Sequence, residues 1–174
     1  VVITDFNLNV VDEGLDLVIK PRPDSLAGMG DYVRNMHTES GLINEFDNGL
    51  ELKDAETKVL DYIKKYIPTA NTAPLAGNTI GTDRMFISHY MPNLDAHLHY
   101  RNIDVSTIKE LSKRWFPRAY FQAPKKEGGH RALADILESV NELRYYRKAV
   151  FVDGSGPSTE EAQAFADSLK TDKL

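Results

Sequence analysis

Apolar residues near the start of the chain come in short β-branched runs, at 1–4, 8–11 and 15–19, separated by Asp5-Phe6-Asn7 and Glu13-Gly14. Such runs predict a short antiparallel meander, closed by Pro21-Arg22-Pro23. From Asp24 to about Phe46 the pattern is mixed and broken by glycine, which predicts short helices. Val59, Leu60, Ile63 and Ile67 then recur at helical spacing, predicting a helix over 54–67 with Asp54 as its cap and Pro68 past its end. Pro74-Leu75-Ala76-Gly77 reads as a short buried strand, and 79–91 as a helix with Phe86, Ile87 and Tyr90 on one side. A second strand is expected at 100–103, leading into a helix over 106–115. Its inner stripe is Val105, Ile108, Leu111 and Trp115, and Thr107-x-x-Glu110 offers a capping box. The longest helix spans 132–150, with Leu133, Ile136, Leu137, Val140 and Leu143 inward.

Gly154-Ser155-Gly156-Pro157 breaks the chain, and the residues after it are mostly small, polar and charged. The division expected is a domain over 1–152 and a weakly attached polar tail over 153–174. No internal repeat is present. Strands first, then strands alternating with helices, predict an α/β domain with a mixed sheet flanked by helices.

Composition narrows the function. At 174 residues, 41% of them hydrophobic, the chain suffices for one folded domain. It contains no cysteine, which removes disulfides, zinc–thiolate sites and cysteine nucleophiles and suits a reducing compartment such as the cytoplasm. No apolar run reaches the roughly 18 residues of a membrane span. A net charge of −5 argues against gripping long nucleic acid through many phosphates, but leaves room for a short anionic substrate. The chain opens Val1-Val2-Ile3-Thr4, as though inside a strand.

Three places carry residues suited to chemistry. Asp83 precedes Phe86 and Ile87 by three and four positions, so a helix sets a carboxylate on its apolar face, where it needs a metal, a partner or a backbone to cap. His130 ends a glycine loop and Asp135 lies five residues on; the two can converge near a helix start, or Asp135 can be an ordinary solvated acid. His97-Leu98-His99-Tyr100-Arg101 puts two histidines on one side of a strand, a weak zinc pattern. Arg101 and Ser106 at a helix start suit a phosphate instead, with a plain surface strand as the generic reading.

Three segments occur in a distinctive order: GNTIGTDRMFISHYMP, LDAHLHYRNIDVSTIKELSKRW and HRALADILESVNELRYYR. Together with Met36–Leu42 (MHTESGL), they resemble the oligoribonucleases, DEDD-superfamily exonucleases of the His-containing subtype, and most closely the actinobacterial members. The resemblance covers roughly residues 1–150. It implies a ribonuclease-H-like fold and 3′→5′ hydrolysis of very short RNAs, dinucleotides included, to 5′-mononucleotides with two Mg²⁺ or Mn²⁺ ions. By it, Asp83 is the third metal-binding acid, Asp135 the fourth, and His130 the base that takes a proton from the attacking water. It also implies a homodimer in which His99, Tyr100 and Arg101 reach the partner's site. Ser106, Lys109, Thr79, Tyr32 and His37 are further candidates for the substrate's phosphates and bases.

One departure stands out. The family's first two acids form an Asp-x-Glu motif on a first strand, followed by a Thr-Gly-Leu stretch whose leucine wedges between substrate bases. Here residues 1–5 resemble the second strand, and Asp12-Glu13 falls in the hairpin. The two further acids are therefore expected upstream of Val1, and the chain starting at Val1 is expected to be inactive. The rival readings are a non-catalytic dimeric nucleotide-binding protein and an exonuclease acting on DNA 3′ ends.

Overall fold

The computed structural model describes residues 1–125 and 131–171. Helices dominate it. After an extended N-terminal segment come two short helices, α1 (Pro23–Ala27) and α2 (Asp31–Glu39), and a 3₁₀ stretch, Leu42–Asn48. Helix α3 (Leu52–Tyr66) begins before Asp54, with Glu51 in the cap position. Its buried positions, Ala55, Glu56, Val59 and Ile63, keep the expected spacing.

Strand β1 (Pro74–Gly77) leads into α4 (Ile80–Tyr90) and α5 (Pro92–His97), and strand β2 (His99–Asp104) into α6 (Val105–Trp115). The two strands pair in parallel, Leu75 opposite Asn102 and Gly77 opposite Asp104. Parallel pairing of strands joined by a helical crossover makes the domain α/β. Helices α7 (Pro117–Phe121), α8 (Ala132–Val150) and α9 (Thr159–Thr171) complete the described chain.

The core gathers Ile3, Val59, Ile63, Leu94 and Leu98, with Leu15, Leu75, Ile87 and Met91 packed around it. The N-terminal segment is fixed by polar contacts as well. Asp12 accepts from the hydroxyls of Tyr62 and Tyr66 on α3, each at 2.5 Å, and Arg144 of α8 donates to the Leu8 carbonyl. Buried Glu56 accepts the backbone N–H groups of Asn93 (2.7 Å) and Leu94 (3.1 Å), so α3 caps α5 from outside that helix.

Several expectations need correction. The meander is shorter than expected: the first run pairs antiparallel with the second at Thr4 and Val10, Val1 and Leu15 exchange backbone hydrogen bonds, and the third run then goes on to bridge Leu50 in parallel through Ile19. The α6 stripe is rotated. Val105 and Ser112 are buried, whereas Leu111 and Trp115 are exposed, and the cap is Asp104 rather than a Thr107–Glu110 box. On α4, Ile80 and Ile87 turn inward while Phe86 and Tyr90 stack on each other at the surface. His97 ends α5 and is buried, its Nε2 2.9 Å from the Ile67 carbonyl oxygen, so it shares no strand face with His99 and the zinc pattern fails. The tail contains a helix, α9, that stays exposed.

Candidate active site

One cavity of about 540 Å³ opens between the N-terminal segment, β1, the start of α4 and the first half of α8. Asp83 and Asp135 both line it. Asp83 stands in the first turn of α4 and Asp135 in the first turn of α8, so the two helices aim their N-terminal ends at one space. Each helix start favours negative charge nearby. Neither carboxylate is held in an ion pair among the described residues, and Asp83 caps no backbone N–H there. Val2, Ile80, Ile136, Val140 and Leu143 supply the apolar wall. A Cβ at Gly77 would lie 2.9 Å from Ile80 Cδ1, so a side chain there would displace the tip of Ile80 from the cavity wall.

The turn between β1 and α4 is the most constrained part of the site. Thr79 adopts φ 53° and ψ 35°, a left-handed conformation costly for a β-branched residue. Its N–H donates to Asp104 Oδ1 at 3.0 Å and Ser106 Oγ at 2.9 Å. Asn78 beside it lines the cavity and donates to Ser139 and Glu142 of α8 while accepting from Ser106 of α6.

The remaining candidates fall into groups. Thr79 and Ser106 are adjacent, their hydroxyls 3.2 Å apart. The Lys109 ammonium is committed to buried Glu142 at 3.0 Å. His99 and Tyr100 stack at 4.5 Å, and the Arg101 guanidinium lies 5.3 Å from the Tyr100 ring centroid. This stack lines no part of the cavity, and Tyr100 is 72% exposed. Tyr32 is exposed on α2, and His37 packs edge-on against Phe46. His130 lies outside the described residues. Arg131, the α8 cap position, pairs with Glu45 at 2.7 Å and ties the 3₁₀ stretch to the start of that helix.

As metal ligands, Asp83 and Asp135 fit in kind: hard divalent cations take carboxylate oxygens. They do not complete a site, since no group of three acidic or histidine ligands forms among the described residues. Sequence reasoning missed Asn78, Ser139, Glu142 and Asp104. Glu142 was the one with a usable signal, a carboxylate beside the inward positions of α8 that had to find a partner.

Comparison with known proteins settles the family. An exonuclease family matches residues 1–143. The chain is 66% identical to an oligoribonuclease of Leifsonia xyli over 97% of its own length and 82% of that protein's. It is 55% identical to one of Cutibacterium acnes and 53% identical to one of Streptomyces coelicolor, each over 94% of the chain, covering 81% and 82% of those proteins. This chain belongs to the oligoribonuclease family of exonucleases. The expected family and its ribonuclease-H-like α/β fold are thus borne out, and the cavity flanked by β1, α4 and α8 is the candidate active site of an oligoribonuclease-type domain.

Proposed function

We propose that the Asp83–Asp135 cavity is the hydrolytic centre of a 3′→5′ exoribonuclease that degrades short oligoribonucleotides, dinucleotides included, to 5′-mononucleotides. The reaction class and the short RNA substrate come with the family. Residue roles, ion count and assembly are our reading. The observation that supports it best is the convergence on one cavity of two carboxylates from separate helices, neither in an ion pair among the described residues.

Two divalent ions, Mg²⁺ or Mn²⁺, would supply an activated water and charge neutralisation at the leaving 3′-oxygen. Asp83 and Asp135 would hold them together with two further acids upstream of Val1. His130 takes the proton of the attacking water, a role suited to a group titrating near neutrality. Thr79 offers its hydroxyl to a substrate phosphate, Ser106 stands beside it as a phosphate-side residue with its own proton on Asn78, and Lys109, engaged by Glu142, adds positive potential beside them. Tyr32 and His37 form the base-side surface. His99, Tyr100 and Arg101 act across a homodimer, where they cap the substrate's 5′-phosphate in the partner's site. Residues 1–152 carry this function, 153–174 are an appendage, and the cytoplasm is the proposed compartment. No helix among the described residues is long and apolar enough to cross a membrane.

The test is hydrolysis of a diribonucleotide by the protein that includes the residues upstream of Val1, with Mg²⁺. Asp83→Ala or Asp135→Ala should each cost more than about 10²-fold in rate, because a displaced ion removes both water activation and charge stabilisation. Near-normal turnover by either variant removes that residue from the ligand set.

A further inference from the structure

Asp83 and Asp135 belong to different helices, so something must fix α8 against the turn that starts α4. The apolar wall of the cavity does not set the register of α8 along its axis. Directional bonds do, and they converge on one side chain. The Asn78 amide donates to Ser139 Oγ at 2.9 Å and to Glu142 Oε2 at 3.0 Å, on successive turns of α8. Its oxygen accepts from Ser106 Oγ at 3.0 Å, at the start of α6. Ser139 in turn donates to the Asp135 backbone carbonyl at 2.9 Å, and Glu142 is braced from α6 by Lys109 at 3.0 Å. Both the amide nitrogen and the amide oxygen of Asn78 are therefore used, toward two helices, from a residue whose neighbour Thr79 is held in a strained conformation by Asp104 and Ser106. Only an amide supplies two donors and an acceptor in that volume.

On the reading of Asp83 and Asp135 as metal ligands, we infer that Asn78 is a positioning residue: it sets the spacing of the two acids by locking α8 and α6 to the β1–α4 turn. It touches neither ion nor substrate in this role. The lock is polar and nearly isosteric substitution breaks it. Asn78→Asp removes the donors and brings a carboxylate against Glu142, a buried like-charge contact.

The test uses the protein with its upstream residues. Mn²⁺ affinity is measured by titration, and amide hydrogen exchange is followed without metal. Asn78→Asp should weaken Mn²⁺ binding by about 10- to 100-fold, the usual cost of losing a group that orients a ligand. It should also speed exchange in the first two turns of α8. Adding Glu142→Gln, which returns a donor to the pair with the charge moved across it, should restore a substantial part of both. Asn78→Asp with parental Mn²⁺ affinity overturns the inference, as does a double variant as impaired as the single one. If Asn78→Asp does not fold, Ser139→Ala carries the test. It removes one bond and should weaken Mn²⁺ binding about two- to tenfold; unchanged affinity overturns the inference. Asp135→Ala distinguishes the layers. Unchanged Mn²⁺ affinity there defeats the ligand reading itself, whereas a large loss there beside a normal Asn78→Asp defeats only the positioning role.

Discussion

Asp104 and Thr79 are joined across the ends of the parallel strand pair, Asp104 Oδ1 accepting the Thr79 N–H at 3.0 Å. The same oxygen accepts the Ser106 N–H at 3.0 Å, and Oδ2 accepts the Thr107 hydroxyl at 3.1 Å. One carboxylate therefore caps α6 and pins the left-handed residue from which α4 springs. Capping alone explains an aspartate here. The bond to Thr79 adds a second task, holding the turn that delivers Asp83 to the cavity.

Asp104→Ala should consequently cost more than an ordinary cap. We expect a loss of about 1–2 kcal/mol in urea unfolding from the cap. In the complete enzyme we also expect a fall in kcat, because the Thr79 turn is released. Asp104→Asn keeps one acceptor and should recover most of the stability. A variant that loses the stability but keeps full kcat would show that the Thr79 bond does not matter to the site.

The Asp12 clasp predicts a pH dependence. Bonds from Tyr62, then Tyr66, hold the Asp12 carboxyl below its ordinary value of 3.8, while burial first and the Asp12 bond second raise the Tyr62 hydroxyl above its usual 10.0. A depressed carboxyl contributes stability that is present above the unfolded value and lost as pH falls through the folded one. The stability gap between the parent and Asp12→Asn should be constant from about pH 5 to neutrality and shrink below about pH 4. Denaturant unfolding at stepped pH measures it. A gap that stays constant down to about pH 2.5 would rule the clasp out as a source of acid sensitivity.

The Glu45–Arg131 pair predicts a local effect. It is the ion pair between the 3₁₀ stretch and the start of α8, and it is partly exposed on both sides. Arg131 holds the Glu45 carboxyl below its usual range, chiefly through their hydrogen bond. Arg131→Ala should leave the thermal midpoint nearly unchanged, as exposed pairs do. It should speed limited proteolysis within residues 23–48, where no residue of α1, α2 or the 3₁₀ stretch is buried. Raised salt should do the same to the parent. Equal cleavage rates would mean the pair holds nothing down.

Periodicity made α3 legible, because it buries a stripe long enough to show 3.6-residue spacing. On α8 it gave the extent of the helix but not its inner face: Glu142 and Tyr146 are the buried residues, and Leu137, expected inward, is exposed. It misplaced the inner face of α6 for a definite reason. Ser112, small and polar, is the residue buried there, while Leu111 and Trp115 face outward. Apolar character on that face belongs to a surface that a single chain leaves open. The meander holds only in part: its β-branched runs pack against α3, and the backbone bonds between them, around Thr4–Val10 and Val1–Leu15, are too few for a regular sheet. Asp83 and Asp135 stand out as a pair only through the family's segments, since Asp83 alone reads equally as a helix-start cap and Asp135 alone as a solvated acid. Asn78 was not legible at all, and of Asp104 only the cap on α6 is a local signal. The bonds of Asn78 to α8 and of Asp104 to Thr79 reach residues 25 to 64 positions away, which no local pattern encodes.

The exposed Tyr100 stack supplies the last prediction. Tyr100 is 72% exposed, stacked on His99 and flanked by Arg101, yet none of the three lines the cavity of its own chain. Met85 and Phe86 on α4, and Trp115 and Phe116 at the end of α6, are exposed too, apolar surface that a second copy would cover. In the homodimer proposed above, Tyr100 acts in the partner's cavity. A substrate with very few phosphates gains no affinity from length, so its terminal phosphate must be captured by several charge-assisted hydrogen bonds. On this account Tyr100→Ala severely reduces dinucleotide cleavage while Mn²⁺ affinity stays at the parental level. As an incidental surface residue it would be nearly neutral. Mixing decides between cis and trans. Tyr100→Ala protein and Asp83→Ala protein should each be severely impaired, but an exchanged dimer contains one site with intact acids from the first chain and an intact Tyr100 from the second. Activity should reappear on mixing, toward half that of the parent dimer per exchanged pair. Exchange demonstrated by mass spectrometry without recovered turnover would show that Tyr100 does not act across the dimer.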